Sequence, residues 1–273
     1  MSYLDKLFNL EGRVAVITGG GGAIASNMAE GFVKSGAKVV LLDLRKEATD
    51  EVVAKLSEFG TVVGKAVNVL EEGVLKSVLA EIIEEFGKVD VLINAAGGNM
   101  PGATIGPDQT IFDLDMEAFS KVTTLNLDGS VLPSLIFGEQ MAKQGTGNII
   151  NISSMAADRV LTRVVGYSAS KAAITNFTKW MSVEMAQKFE GNIRVNAIAP
   201  GFFVGEQNRA LMLNEDGSLT ERGNQIISNT PMGRFGDLSE TVGAALFLVS
   251  DAAKFITGTV VPVDGGFSAY SGV

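Results

Sequence analysis

A tyrosine and a lysine four residues apart have the clearest chemical use in this sequence. They are Tyr167 and Lys171. On a helix, side chains at this spacing share one face. A phenol has a pKa of about 10, so it exchanges protons near neutral pH only where a nearby positive charge stabilises its phenolate. Lys171 can supply that charge, and the pair therefore predicts a proton-transfer site.

A serine hydroxyl completes this group. Ser154 ends the run 148–154, which is typical of a buried strand that delivers a side chain at its carboxyl end. The chain has no histidine and no cysteine. This composition excludes a Ser-His-Asp triad, a cysteine nucleophile, a Cys/His zinc site and a disulfide. No loop collects carboxylates for a metal either, so we predict proton transfer by Tyr167 without a metal ion.

The charge of the chain bears on its partners. A net charge of −9 and a pI near 4.7 argue against nucleic acid and anionic membranes, and they favour a small-molecule partner. The 273 residues, 46% of them hydrophobic, suit one domain spanning 1–273. The chain has no long apolar run, and its first residues lack the pattern of a signal peptide, so a cytoplasmic location is expected.

A glycine-rich turn near the amino terminus predicts a phosphate site. Residues 13–18 form a β-branched apolar run, Gly19 to Gly22 follow, and a helical pattern covers 23–35. Such a strand, turn and helix let backbone N–H groups and the positive helix end meet a pyrophosphate. The next strand, 38–43, ends in Asp43, whose carboxylate can accept hydrogen bonds from an adenosine ribose. Asp43 therefore favours NAD.

Strand and helix patterns alternate along the rest of the chain. This alternation predicts a single-domain, Rossmann-like, doubly wound parallel sheet of about seven strands with helices on both faces. The further predicted elements are a helix at 46–60, a strand at 61–67, a helix at 71–86, a strand at 89–93, a helix from about 116, the strand ending at Ser154, the helix carrying Tyr167, a strand at 192–199, a helix at 239–251 and a final strand and turn at 258–266.

Taken in order, these motifs resemble those of the short-chain dehydrogenase/reductase family over nearly the whole chain. The resemblance is carried by the glycine-rich turn, Asn94-Ala95-Ala96-Gly97, Asn126, Ser154, the Tyr167–Lys171 pair and Pro200-Gly201. Ala23 and Ala25 stand where the family usually has its second and third glycines. Leu44 stands where a basic residue commonly marks NADP, although Arg45 follows.

The resemblance implies roles for particular residues. Tyr167 would exchange the proton with the substrate oxygen, Ser154 would bind that oxygen, and Lys171 would lower the tyrosine pKa and bind the nicotinamide ribose. Asn126 would hold a water that relays protons to the lysine. The implied NAD contacts are Gly19, Gly22, Ala23, Ile24, Asp43, Asn68, Val69, Asn94, Ala95, Ala96, Gly97, Tyr167, Lys171, Pro200, Gly201 and Phe203. Family members are commonly homotetramers, so four chains are expected.

Two segments are expected to border the substrate. They are the loop 98–114 and a lid at about 202–230, and both resemble the corresponding segments of D-mannonate oxidoreductases within the family. An anionic sugar acid needs local cations on a protein of net charge −9. The predicted substrate contacts are Asn99, Ser154, Arg159, Arg163, Gln207, Asn208 and Arg209. The resemblance implies NADH-dependent reduction of D-fructuronate to D-mannonate.

Other substrates and one other class of function stay open. Gluconate-type ketoacids or neutral polyols could replace fructuronate. A 3-oxoacyl thioester reductase shares every motif, but its acidic carrier partner would want a basic surface, and this chain offers little. A non-catalytic dinucleotide-binding protein could use the same fold. The intact Ser154, Tyr167 and Lys171 argue against that last reading.

Overall fold

The sheet organises the whole structure. The computed structural model describes residues 3–206 and 208–272. Seven parallel strands lie in the order β3-β2-β1-β4-β5-β6-β7. The strands are β1 (Val14–Thr18), β2 (Lys38–Asp43), β3 (Val62–Ala66), β4 (Val91–Asn94), β5 (Gly147–Ile152), β6 (Ile193–Pro200) and β7 (Val260–Val263).

Helices cover both faces of this sheet. They are α1 (Tyr3–Phe8), α2 (Ala23–Lys34), α3 (Lys46–Leu56), α4 (Glu72–Phe86), α5 (Met116–Thr123), α6 (Gly129–Gln144), α7 (Val165–Lys188), α8 (Arg209–Met212), α9 (Glu221–Ser228) and α10 (Glu240–Val249). Helices α2, α3 and α10 pack on one face, and α4, α6 and α7 pack on the other. The predicted doubly wound fold is confirmed.

Strand β1 shows why the strands read as continuous apolar runs. Ala15 and Ile17 point to the core beneath α2, while Val14 and Val16 point to the core beneath α4. Both faces are buried, so alternation with polar residues is absent from this strand, as is usual in parallel sheets with helices on both sides.

Three element boundaries differ from the sequence prediction. Strand β4 begins at Val91, not at 89, because the Asp90 carboxylate accepts the Val14 N–H and replaces the first sheet hydrogen bond. Strand β5 ends at Ile152, and Ser154 instead caps a short 3₁₀ turn, Met155–Ala157. Helix α3 ends at Leu56, four residues early, and a turn leads to Gly60 with φ of 159°.

The strand order reverses at β1, whose neighbours are β2 and β4. In open α/β sheets, a crevice for ligands forms at the carboxyl ends of the strands where the order reverses. Thr18, Asn94 and Asn151 lie side by side at this edge in neighbouring strands. In the described parts of the chain, no helix is both long and apolar enough to cross a membrane.

Candidate active site

The glycine-rich turn brings backbone groups close together at the crevice. Gly19 has φ of 64°, and a Cβ there would lie 2.8 Å from the Ala96 Cα. The turn is closed by a hydrogen bond of 2.9 Å from the Gly22 N–H to the Gly19 carbonyl. Helix α2 begins directly afterwards, and Gly22 has no side chain to cap its first N–H groups. These donors and the positive helix end suit a phosphate.

Asp43 connects the second strand to this turn. One carboxylate oxygen accepts the Gly21 N–H at 3.1 Å, and the other accepts the Arg45 N–H at 3.0 Å. The negative charge is therefore fixed beside the phosphate-binding turn. This position fits an adenosine ribose and disfavours an additional phosphate on it.

The turn after β4 is fixed by a residue that the sequence prediction omitted. Thr18 Oγ1 accepts the N–H groups of Ala95 and Ala96, each at 3.1 Å. At Gly97, φ is 152° and a Cβ would lie 2.6 Å from the Asn126 Oδ1. Small residues therefore leave a flat surface beside the strand ends. With the open first turn of α2 and the placement of Asp43, this surface fits a dinucleotide.

Asn126 lies in a π-helical turn, Thr124–Asp128, between α5 and α6. Its Nδ2 donates to the carbonyls of Gly98 at 2.8 Å and Val122 at 2.9 Å, and its Oδ1 accepts the Gly98 N–H at 3.0 Å. Wide helical turns of this kind are frequent at functional sites. Asn126 thus ties the helix to the loop that follows β4.

Ser154 and Tyr167 meet across the gap between β5 and α7. Ser154 is buried, and its Oγ accepts the Ala156 N–H at 3.1 Å. Burial raises the pKa of the Tyr167 phenol above its ordinary value, and the hydrogen bond with Ser154 opposes that rise. A ketone oxygen placed at these two hydroxyls could accept a hydrogen bond from each.

Lys171 is buried one helical turn after Tyr167. Its Nζ donates to the Ile152 carbonyl at 2.8 Å and lies 5.6 Å from the centre of the Tyr167 ring. Burial lowers its pKa to about 8. The sequence predicts that Lys171 lowers the phenol pKa, but in the structure burial is the largest influence on the pKa of both residues.

Two of the predicted arginines already contact backbone carbonyls. The Arg159 Nε donates to the Ser268 carbonyl at 2.7 Å, and so does one of its Nη atoms. The Arg163 Nε donates to the Ile105 carbonyl at 2.9 Å, and the Ile105 N–H donates back to the Arg163 carbonyl at 2.9 Å. Arg163 therefore connects the segment before α7 to the loop 98–114.

The predicted polar substrate contacts are engaged within their own loops. Asn99 Nδ2 donates to the Thr104 hydroxyl at 2.7 Å. Asn208 accepts the Gly205 N–H and donates to the Phe203 carbonyl, each at 2.8 Å. Arg209 is exposed at the start of α8. Gln207 lies outside the described residues.

The remaining predicted cofactor residues line up along the same edge of the sheet. Val69 is buried, and a Cβ at Gly129 would lie 3.1 Å from it. Asn68 donates to the Glu71 carboxylate at 2.8 Å. Pro200 ends β6, and a Cβ at the next residue, Gly201, would lie 2.6 Å from the Asp264 Cα. Phe203 is buried. Ile24 packs against the core beneath α2. Beside them, a cavity of about 300 Å³ is lined partly by Phe202, Phe203, Thr230 and Gly265.

Besides Thr18, two further features of the site were not selected from the sequence. A buried hydrogen-bonded chain runs from Ser134 through Asn94 and Asn151 to Thr178, with distances of 2.7, 2.8 and 2.9 Å. It connects β4 and β5 to α6 and α7. Arg222 on α9 is the other feature, because it lies near Arg163. No sequence spacing indicates either contact, since each joins residues far apart in the chain.

Comparison with known proteins identifies the family. Residues 21–268 match the family profile described as enoyl-(acyl carrier protein) reductase. An uncharacterized oxidoreductase of Haemophilus influenzae is 45% identical, over 97% of this chain and 96% of that one. A 5-keto-D-gluconate 5-reductase of Escherichia coli K12 is 33% identical, over 96% of this chain and 98% of that one.

A solved structure agrees in fold and in sequence. It is a protein of Haemophilus influenzae, provisionally named a D-mannonate oxidoreductase and solved with bound NAD. It is 46% identical and superposes with a TM-score of 0.90, covering 97% of this chain and 98% of its own. With the profile match, the shared fold and the Ser154, Tyr167 and Lys171 cluster, these likenesses establish that the chain belongs to the short-chain dehydrogenase/reductase family of oxidoreductases.

Proposed function

We propose that this protein reduces D-fructuronate to D-mannonate with NADH, and that it catalyses the reverse oxidation with NAD. The observation that carries the substrate is the likeness to the Haemophilus influenzae protein named for D-mannonate, at 46% identity and a TM-score of 0.90. The chemistry is carried by this chain's own Ser154 and Tyr167.

The prediction of NAD as cofactor is confirmed by the solved relatives. NAD is bound in the Haemophilus influenzae structure, and NADH is bound in a 7α-hydroxysteroid dehydrogenase that is 31% identical with a TM-score of 0.84. In this chain, the turn Gly19 to Gly22 would bind the pyrophosphate, and Asp43 would bind the adenosine ribose. When bound, the reduced nicotinamide supplies the hydride that the substrate carbon accepts.

Tyr167 transfers the proton to and from the substrate oxygen, and Ser154 forms a hydrogen bond with that oxygen. In reduction, Ser154 donates a hydrogen bond to the ketone oxygen, and the Tyr167 hydroxyl donates the proton that makes it an alcohol. The raised pKa keeps the Tyr167 phenol protonated before the reaction, so a nearby positive charge must stabilise the phenolate as the proton leaves. In oxidation the same phenol oxygen receives the proton. The Lys171 ammonium, 5.6 Å from the ring centre, stabilises the phenolate formed after proton donation.

The substrate carboxylate requires positive charge at the mouth of the site. Arg163 supplies it best among the predicted arginines, because its Nε alone contacts Ile105, and the outer edge of its guanidinium is the part suited to a carboxylate. Arg159 directs Nε and one Nη to Ser268. Arg209 on α8 is the third cation of this group. Asn99 and Asn208 would form hydrogen bonds with substrate hydroxyls in place of their contacts within the protein, and Gln207 would bind a substrate hydroxyl as well.

A second sugar acid has specific support. The Escherichia coli relative named 5-keto-D-gluconate 5-reductase is 33% identical over nearly the full length of both chains. Its named substrate, like D-fructuronate, has three carbons between a ketone and a carboxylate carbon. One site could therefore accept both compounds, with their relative rates decided by hydroxyl stereochemistry.

We further propose a single domain, 1–273, with a lid at about 202–230, that assembles as a cytoplasmic homotetramer. The assembly is supported by exposed apolar side chains on neighbouring helices, namely Leu135 on α6 and Trp180 and Val183 on α7, which are 56%, 65% and 55% exposed. Side chains of this kind favour burial in an interface. Light scattering at micromolar concentration should give four times the chain mass of 28.6 kDa, and a mass of one chain would refute the assembly.

The activity is tested with purified protein and NADH. D-Fructuronate, 5-keto-D-gluconate, D-fructose and an acetoacetyl thioester are each supplied, NADH oxidation is followed, and the products are identified by NMR. We expect D-fructuronate to react fastest and D-mannonate to be the product. Reduction of the thioester with neither sugar acid accepted would refute the proposal in favour of an acyl reductase.

A further inference from the structure

Two arginines from separate segments, Arg163 and Arg222, lie near each other without an acidic partner among the described residues. Arg222 lies in the first turn of α9, and its Nη1 is 3.4 Å from the hydroxyl of Thr162, the residue before Arg163. No carboxylate of the described residues lies within 4.0 Å of the guanidinium of Arg163 or Arg222. Burial and the nearby charge of Arg163 both lower the pKa of Arg222. Two like charges near each other repel, and an anion bound between them would remove that repulsion.

The helix ends make this arrangement more unfavourable without an anion. Arg222 is in the first turn of α9, and Arg163 lies two residues before the first residue of α7. The amino end of a helix carries partial positive charge, so cations are disfavoured there and anions are favoured. Both arginines therefore belong to segments where an anion is favoured over a further cation.

The backbone of Arg163 provides an independent sign of a functional constraint. Its φ is 80°, in the left-handed region that residues with side chains rarely adopt. Such a conformation is strained, and it persists where surrounding contacts fix it. The reciprocal hydrogen bonds with Ile105, both 2.9 Å, are those contacts. They fix the position of the guanidinium four residues before Tyr167.

The backbone that carries Arg222 is anchored within the lid. A Cβ at the next residue, Gly223, would lie 2.2 Å from the Met212 carbonyl, so α9 packs directly on α8. Thr220 caps α9 by accepting the Gly223 N–H at 3.0 Å, and its hydroxyl donates to the Leu211 carbonyl at 2.7 Å. The first turn of α9, which carries Arg222, is therefore anchored to the rest of the lid.

We infer that Arg163 and Arg222 together bind the carboxylate of a keto-acid substrate, with Arg163 on the wall before α7 and Arg222 on the lid. This inference rests on the proposed sugar-acid function and deepens it by naming Arg222 as a specificity-determining residue. A carboxylate between the two would neutralise the like charges and join the lid to the wall that carries Tyr167. The carboxylate end of the substrate, which does not react, would thereby hold the lid in place above the ketone that does react.

The test compares charged and neutral ketones in matched variants of the full chain. Arg222→Gln removes the charge, and Arg222→Lys retains the charge without the planar guanidinium. The control, Lys179→Gln, removes one exposed charge from a different helix, α7. We expect Arg222→Gln to lower kcat/KM for D-fructuronate and 5-keto-D-gluconate by about 10- to 100-fold, mainly through KM, because charged hydrogen bonds are lost. Arg222→Lys should fall between, and Lys179→Gln should match the wild type.

Two controls separate binding of the carboxylate from a merely structural role. With Arg222→Gln, kcat/KM for D-fructose, the Kd of NADH and the Tm should stay at wild-type values. An equal loss with D-fructose and with the keto acids would overturn the inference. The double variant Arg163→Gln/Arg222→Gln should lose less than the product of the two single effects, because both residues bind one carboxylate. Strictly multiplicative losses would contradict a shared ligand.

The outcomes also separate this inference from the proposed function. Reduction of D-fructuronate at the wild-type rate by Arg222→Gln would overturn the inference and leave the proposed activity intact. Reduction of 5-keto-D-gluconate alone, with a dependence on Arg222, would refute D-fructuronate as substrate and support the two-arginine site. Failure of the wild type to accept either acid would overturn both.

Discussion

The two halves of the candidate site are built differently. The half proposed to handle the ketone oxygen consists of Ser154, Tyr167 and Lys171, and it is placed by the end of β5 and by the long helix α7. The half that would select the substrate consists of long side chains on the segment before α7, on the loop 98–114 and on the lid. Arg159 and Arg209 there are exposed, whereas Ser154 and Lys171 are 7% and 5% exposed.

This difference separates chemistry from selectivity. A buried hydroxyl at a strand end and a phenol on a packed helix have few alternative positions, so the proton-transfer geometry is fixed before a substrate arrives. Exposed side chains on loops can change partners, and loops tolerate substitution better than the elements they connect. On the proposed function, the same catalytic half would serve different ketones, while the arginines and the lid would decide which ketone is accepted.

The largest effect is expected from the catalytic half. Tyr167→Phe retains the ring but removes the transferable proton, so kcat should fall by about 100- to 10,000-fold. The Kd of NADH should change less than about threefold, because the hydroxyl is one of many cofactor contacts. Stopped-flow reduction and NADH fluorescence titration measure the two quantities.

Tyr3→Phe is the matched control, since Tyr3 is 76% exposed on α1. It should leave both quantities unchanged. Turnover by Tyr167→Phe within tenfold of the wild type would show that another group moves the proton, and the catalytic half would lose its separate status.

The sequence predicts the elements that carry the proposed catalytic half because their signals are local. Tyr167 and Lys171 share a helix, and the glycines of the first turn are neighbours in the chain. Burial on both sides of β1 gives an unbroken apolar run, which identifies the strand without tertiary information. The order of strands and helices follows from the same patterns.

The substrate half could not be predicted to the same depth. Arg159 binds Ser268 and Arg163 binds Ile105, and these contacts span 109 and 58 residues. Arg222 approaches Thr162 across 60 residues. Nothing in the local pattern of a loop states which distant carbonyl an arginine will reach. Side-chain pKa values have the same limit: burial, which sets those of Tyr167 and Lys171, is a property of the packed structure.

Lys171→Met should give the second largest effect. The substitution retains an unbranched side chain but removes the ammonium, so we expect kcat to fall by about 100-fold and NADH to bind more weakly. A fall in kcat with unchanged NADH affinity would show that the lysine acts on the phenol alone. Wild-type kcat and wild-type affinity together would exclude the lysine from the catalytic half.

The same variant makes a prediction about pH and stability. The folded pKa of Lys171, about 8, lies below its ordinary 10.5, so the unfolded chain binds more protons between these values. The contribution of this group to the free energy of unfolding of the wild type should therefore increase as pH rises from 8 to 10.5. In denaturant titrations without cofactor, the free energy of unfolding of Lys171→Met minus that of the wild type should be largest below pH 8. A difference independent of pH would contradict a buried ammonium.

Asp43→Asn should alter cofactor choice by a smaller factor. Asparagine can still accept the Gly21 N–H, but it lacks the charge that repels a 2′-phosphate. The wild type should prefer NADH, and the variant should lower the ratio of kcat/KM for NADH over NADPH by about tenfold, since charge at this position is worth roughly 1–2 kcal/mol. A wild-type preference for NADPH would instead assign control of this pocket to Arg45.

The smallest effect is expected at Arg159. Arg159→Ala removes the hydrogen bonds to the Ser268 carbonyl, so the free energy of unfolding should fall by about 1 kcal/mol. The KM for D-fructuronate should rise by less than about threefold, because this guanidinium is largely occupied by backbone. A tenfold rise in KM with an unchanged Tm would place Arg159 on the substrate and enlarge the selective half.

The separation of the two halves is tested most directly by the specificity of the unmodified enzyme. With saturating NADH, kcat/KM is measured for D-fructuronate and for D-fructose, a neutral ketose of the same carbon number. A carboxylate bound by paired guanidiniums predicts a ratio of about 100 or more in favour of the acid, from roughly 3 kcal/mol of charged hydrogen bonding. Equal values, or a preference for D-fructose, would contradict a lid that selects its substrate by charge.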